Sequence, residues 1–122
     1  MLARVWSASI LGIDAVKVGV EVDISGGLPK IMVLGLPDAA VQESRERVKA
    51  TLKNAGYAFP MRNIVINLTP ADLRKEGPSF DLPISLGILA ASEQIKADLL
   101  GDFLFLGEVS LDGGLRPVSG VL

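Results

Sequence analysis

Histidine and cysteine are absent from this chain of 122 residues. Without an imidazole, a His-based catalytic triad and a zincin-type metal site are excluded. Without a thiol, cysteine catalysis, thiolate metal sites and disulfides are excluded too. No apolar run is long enough to span a bilayer: the longest, around Leu82–Ala91, falls well short of the ~20 residues a spanning helix needs. The N-terminus is apolar, yet Asp14, Lys17, Glu21 and Asp23 interrupt it, which is wrong for a signal peptide. Low-complexity tracts and internal repeats are missing as well. These absences lead to the expectation of a cytoplasmic protein with no membrane partner. A net charge of −2 argues against a protein that coats DNA generally, while leaving room for a local basic patch.

What is present fits one α+β domain over residues 1–122. Ala3–Leu11 and Ala15–Ile24 are rich in strand formers, and Val16, Val18, Val20, Val22 and Ile24 alternate with Lys17, Gly19, Glu21 and Asp23. That period of two places the valines on one sheet face. Gly12-Ile13-Asp14 reads as a hairpin link, Ser25-Gly26-Gly27-Leu28-Pro29 as a turn and Lys30–Leu36 as a third strand, so a three-stranded meander is expected. Asp38 opens a helix as its N-cap and Gly56 ends it, with Val41, Ser44, Val48 and Leu52 on one face. Asn63–Leu68 reads as a strand. A second helix runs from Asp81 or Leu82 to Gln94 with apolar residues all round, as in a helix buried on most sides. Phe103–Leu111 and Leu115–Val118 read as a closing hairpin around Asp112-Gly113-Gly114. The expected order is β-β-β-α-β-α-β-β, a mixed sheet with helices on one face. The chain stops on Val121-Leu122 with no polar tail, which suggests one domain of a longer protein.

Charge is distributed unevenly. Residues 38–79 carry seven positive and five negative groups, and residues 80–122 carry two positive and six negative. Arg45, Arg47, Lys49, Lys53, Arg62, Arg74 and Lys75 are the candidates for contact with DNA phosphates, set against the plainer reading of a solvated helix face blunted by Glu43 and Glu46. Two stretches stand out for chemistry, Arg74–Asp81 and Gly107–Gly120. In the first, Ser79 follows Gly77-Pro78 at the mouth of the buried helix, where free amide hydrogens and the positive dipole end stabilise an anion. A serine nucleophile still needs a base, here a lysine or a carboxylate. The competing reading is that Ser79 or Asp81 caps the helix.

Gly77-Pro78-Ser79, Gly107-Glu108-Val109-Ser110-Leu111 and Leu115-Arg116-Pro117-Val118 resemble the proteolytic domain of Lon protease. That resemblance implies a fold of the ribosomal protein domain 2-like superfamily, with Ser79 at the nucleophile position. Ungapped alignment through the hairpin puts Leu122 where the family's base lysine stands, and leucine accepts no proton. A longer likeness covers nearly the whole chain. Gly35-Leu36-Pro37-Asp38-Ala39-Ala40-Val41-Gln42-Glu43-Ser44-Arg45-Glu46-Arg47-Val48, Asn67-Leu68-Thr69-Pro70-Ala71-Asp72-Leu73-Arg74-Lys75-Glu76-Gly77-Pro78-Ser79-Phe80-Asp81-Leu82-Pro83 and the Gly107–Val121 hairpin resemble the opening domain of the Mg-chelatase-like ATPases of the competence protein ComM (YifB) family. The resemblance implies a Lon-like domain followed, after residue 122, by an AAA+ ATPase domain. It also implies a bacterial DNA branch-migration helicase of natural transformation and recombination, self-associating as a hexameric ring, with DNA as partner and with ATP and Mg²⁺ bound by the parent protein. A peptidase-inactive Lon-like domain in RadA is similar. No Gly-x-x-x-x-Gly-Lys-Ser/Thr loop occurs here, so no ATP site, and no cofactor or metal site, is assigned to these residues. The expected role is a non-catalytic assembly or DNA-contacting module. The alternatives are a Lon-like Ser-Lys hydrolase using Ser79 and a pure oligomerisation module.

Overall fold

A computed structural model describes residues 1–11, 14–36, 38–69, 80–98, 100–105, 107–112 and 115–116. Strands β1 (Leu2–Leu11), β2 (Asp14–Ser25) and β3 (Lys30–Leu34) come first. Helix α1 (Asp38–Asn54), strand β4 (Asn63–Thr69) and helix α2 (Asp81–Ala91) follow, and the short β5 (Glu108–Val109) and β6 (Leu115–Arg116) come last. The fold is a small α+β unit in which β1–β4 form a four-stranded mixed sheet and β5–β6 a separate ladder.

The sheet order is β1-β2-β4-β3, so the expected meander does not form. β1 and β2 make the antiparallel hairpin, but β4 takes the place beside β2, antiparallel to it, and β3 lies outside β4 and parallel to it. The cause is the helix between β3 and β4. Two parallel neighbours need a crossover rather than a tight turn, and α1 supplies it. β3 is thereby an edge strand, alternating between exposed and half-buried residues, while β4 is fully alternating and central.

Register explains the core. Val18, Val20 and Val22 of β2 share a face with Ile64, Ile66 and Leu68 of β4, and all six are fully or almost fully buried. Val48 and Leu52 of α1 and Ile84 and Ile88 of α2 close the same cluster, so both helices cover one face of the sheet. α2 lies so close that a Cβ on Gly87 would sit 2.5 Å from Val22 Cγ2, which reserves that position for glycine.

Both helices end in the same backbone motif. At the end of α1 the Tyr57 N–H donates to Leu52 O (2.9 Å) and the Gly56 N–H to Lys53 O (3.1 Å), with Gly56 at φ 93°. This is the Schellman arrangement that the sequence anticipates for Gly56. α2 ends three residues before the expected Gln94. There the Gln94 N–H donates to Leu89 O (2.9 Å) and the Glu93 N–H to Ala90 O (3.1 Å), and the left-handed position, φ 62°, is held by Glu93.

The segment after α2 departs most from expectation. Instead of one long strand over Phe103–Leu111, the Phe105 N–H donates to Trp6 O (2.8 Å) beside a single parallel bridge between Trp6 and Leu104, and only Glu108–Val109 pairs as a strand. Phe103 and Leu104 are more than half exposed, so the apolar run there does not mark a buried strand.

Candidate functional site

The two stretches that stand out in the sequence meet at the start of α2. The Leu82 N–H donates to Gly107 O (3.1 Å), and the Val109 N–H lies 3.5 Å from Asp81 Oδ2. Asp81 is wholly buried. Its carboxylate receives the Ser44 hydroxyl on Oδ1 (2.8 Å), Arg47 Nε on Oδ2 (2.7 Å) and Arg47 Nη2 on Oδ1 (3.3 Å). Burial pushes the Asp81 carboxyl above its ordinary pKa, and the hydrogen bonds from Arg47 and Ser44 act against that push. Further along α1, Thr51 Oγ1 donates to Ser110 O (2.6 Å) and Asn54 Nδ2 to Leu111 O (2.5 Å). One flank of α1 is therefore tied at four positions, by Ser44 and Arg47 to Asp81 of α2 and by Thr51 and Asn54 to Ser110 and Leu111.

This geometry corrects the expectation that Asp81 caps α2. The N-cap position belongs to Phe80, which makes no side-chain capping bond, and Asp81 instead turns across to α1. A carboxylate this buried is tolerated because a two-pronged guanidinium and a hydroxyl replace its water. Ser79, Arg74, Lys75 and Leu122 lie outside the described residues.

The proposed DNA-contacting cations separate into two groups. Arg47 is half-buried, committed to Asp81, and 3.9 Å from Glu43. Arg45, Lys49 and Lys53 are exposed and recur every four residues, which spaces them about 6 Å apart along the helix. Arg45 borders Ile31, Val33 and Phe59, and Lys49 Nζ stands 6.0 Å from the centre of the Phe59 ring. This stripe thus runs along the β3 side of the molecule, opposite the stitched flank. Arg62 is exposed as well, and its carbonyl accepts the Lys30 N–H (3.3 Å). Among the described residues, Arg45, Lys49, Lys53, Arg62 and Lys30 have no ion-pair partner. Sequence reading missed Lys30, because only the β3–β4 pairing brings it beside Arg62. It also missed the Arg47–Asp81 pair, which spans 34 positions.

Among the described residues, no three acidic side chains are grouped to hold a metal ion, and no helix is long and apolar enough to cross a membrane. Comparison with known proteins adds the lineage. Residues 20–122 match the family model for Subunit ChlI of Mg-chelatase. Competence protein ComM of Haemophilus influenzae is 47% identical over 121 residues, covering 99% of this chain and 24% of the relative. The YifB protein of Escherichia coli K12 is 46% identical over the same length, and the Mb2921c protein of Mycobacterium bovis 44%, with the same coverage. The chain therefore spans about a quarter of the length of these relatives. On a family match over most of its length and on this level of identity, the chain belongs to the ChlI family of Mg-chelatase-like proteins.

Proposed function

We propose that this chain is a non-catalytic assembly and DNA-contacting domain of a Mg-chelatase-like AAA+ motor, a ComM-like DNA branch-migration helicase acting in the cytoplasm. The observation that carries the reading is the row Arg45, Lys49 and Lys53 on the flank of α1 away from the Arg47–Asp81 pair, which with Arg62 and Lys30 has no ion-pair partner among the described residues. Unpaired, solvated cations at regular spacing suit the phosphate backbone, which recruits them by counterion release and carries no sequence information. The relative named as a competence protein supports DNA as the partner.

A Lon-like fold is part of the same reading, and the Leu82–Gly107 hydrogen bond supports it by tying the start of α2 to the Gly107 segment of that likeness. ATP and Mg²⁺ belong, in this reading, to a separate domain of the parent protein, since no phosphate-loop motif occurs in these residues. Self-association into a ring places several copies of the basic stripe around one DNA path.

Fluorescence anisotropy over a salt series tests it. Binding to a labelled oligonucleotide is expected to weaken linearly in log–log form. The triple variant Arg45→Gln, Lys49→Gln, Lys53→Gln is expected to flatten the slope by about two to three. Salt-insensitive binding, or an unchanged slope in the variant, removes phosphate contact as the role of this face.

A further inference from the structure

The loop that carries Arg62 also forms one wall of an open cleft of about 640 Å³. Ala58, Pro60, Met61 and Arg62 line that wall, and Ser92 and Glu93, just past α2, line the other. Gln94 ties the two walls together. Its Oε1 accepts the Ala58 N–H (2.8 Å), and its Nε2 donates to Ala58 O (2.7 Å) and to Ser92 Oγ (2.9 Å). A second hollow of about 460 Å³ shares Met1, Glu93 and Gln94 with it. Met61 is 71% exposed and offers an unbranched, polarisable surface. Glu93 reaches the cleft from a left-handed backbone position that glycine occupies without strain, and its carboxylate has no partner among the described residues.

We infer that this cleft takes an unpaired nucleobase, so that the domain prefers single-stranded to duplex nucleic acid. The inference rests on the DNA-contacting reading above and deepens it. Arg62 belongs to both features: it is one of the exposed cations without an ion-pair partner among the described residues, and it lines the cleft. A strand whose phosphates follow the stripe presents its bases to the wall of Ala58, Pro60 and Met61. Those apolar side chains receive the face of a base without reading its identity. Glu93 provides the reading. A carboxylate accepts from the exocyclic amine of cytosine, whereas thymine turns a carbonyl to the same place. A duplex keeps its bases stacked inside and reaches only the cations.

The test is anisotropy with labelled single strands of dC and of dT, and with a duplex of equal length, at fixed salt. The chain is expected to bind oligo(dC) more tightly than oligo(dT), and both more tightly than the duplex. Met61→Ala is expected to weaken both single strands about fivefold and leave the duplex unchanged. Glu93→Gly, which relieves the backbone rather than straining it, is expected to erase a dC preference of about fivefold. Salt-dependent binding that ignores both variants, or equal affinity for duplex and single strand, overturns the cleft assignment and leaves the phosphate-contact reading standing. Loss of all salt-dependent binding overturns both. In a parallel NMR titration, cleft resonances that respond to an apolar tripeptide and not to oligo(dC) also overturn the inference.

Discussion

Helix α1 rests on the sheet through Val48 and Leu52 and keeps Arg45, Lys49 and Lys53 in solvent, whereas α2 is buried at nine of its eleven residues. The two cover the same face of the same sheet and end in the same Schellman motif, yet α1 keeps glycine at the left-handed position and α2 has glutamate. One flank of α1 is tied to Asp81, Ser110 and Leu111, and the cations of the other make no ion pair among the described residues. α2 is the core, and its only charged residue, Asp81, is neutralised by α1. The contrast teaches that the exposed helix does the electrostatic work for the buried one, which leaves only part of its own charge for a partner.

The sharpest way to break this division of labour is Arg47→Ala. It leaves the Asp81 carboxylate buried without its cation, and a loss of about 3 kcal/mol is expected in urea unfolding at neutral pH. Burial already raises the Asp81 pKa, and losing Arg47 raises it further. A raised folded-state pKa favours folding below the unfolded value and loses that benefit as pH climbs through the folded value. The deficit of the variant is therefore expected to shrink as pH falls toward the carboxylate range. A deficit independent of pH would show that Arg47 acts through packing alone.

A smaller effect probes the buried helix. Gly87→Ala drives a methyl group into Val22, and a loss of about 1–3 kcal/mol is expected, with no change in the salt dependence of DNA binding. The smallest test sharpens the comparison of the helix ends. Gly56→Ala is expected to destabilise by about 1 kcal/mol and Glu93→Gly to stabilise by a similar amount, so thermal midpoints move in opposite directions. Movement in the same direction would mean that side-chain contacts, not backbone conformation, decide at these ends.

Much of this architecture was legible in the sequence. The Val18–Ile24 alternation gave the buried face of β2, and Gly56 marked the end of α1, because both signals are local. Pairing is not local. Nothing in Lys30–Leu34 says whether its neighbour is β2 or β4, and a short link suggests the nearer strand until the crossover through α1 is seen. The same blindness affected the site. Arg47 looks like any other cation of α1, and Asp81 like a helix cap, until the fold brings them within 2.7 Å.

The placement of β4 between β2 and β3 also sets a timetable. The β1–β2 hairpin closes with its own residues, but β3 lacks its full partner until residue 67 has left the ribosome, because the strand it needs comes after α1. Until then Met32 and Leu34 stand on an unpaired strand. Non-local pairing of this kind slows folding and lengthens exposure to aggregation, so a chaperone meeting this nascent chain would find its grip at β3.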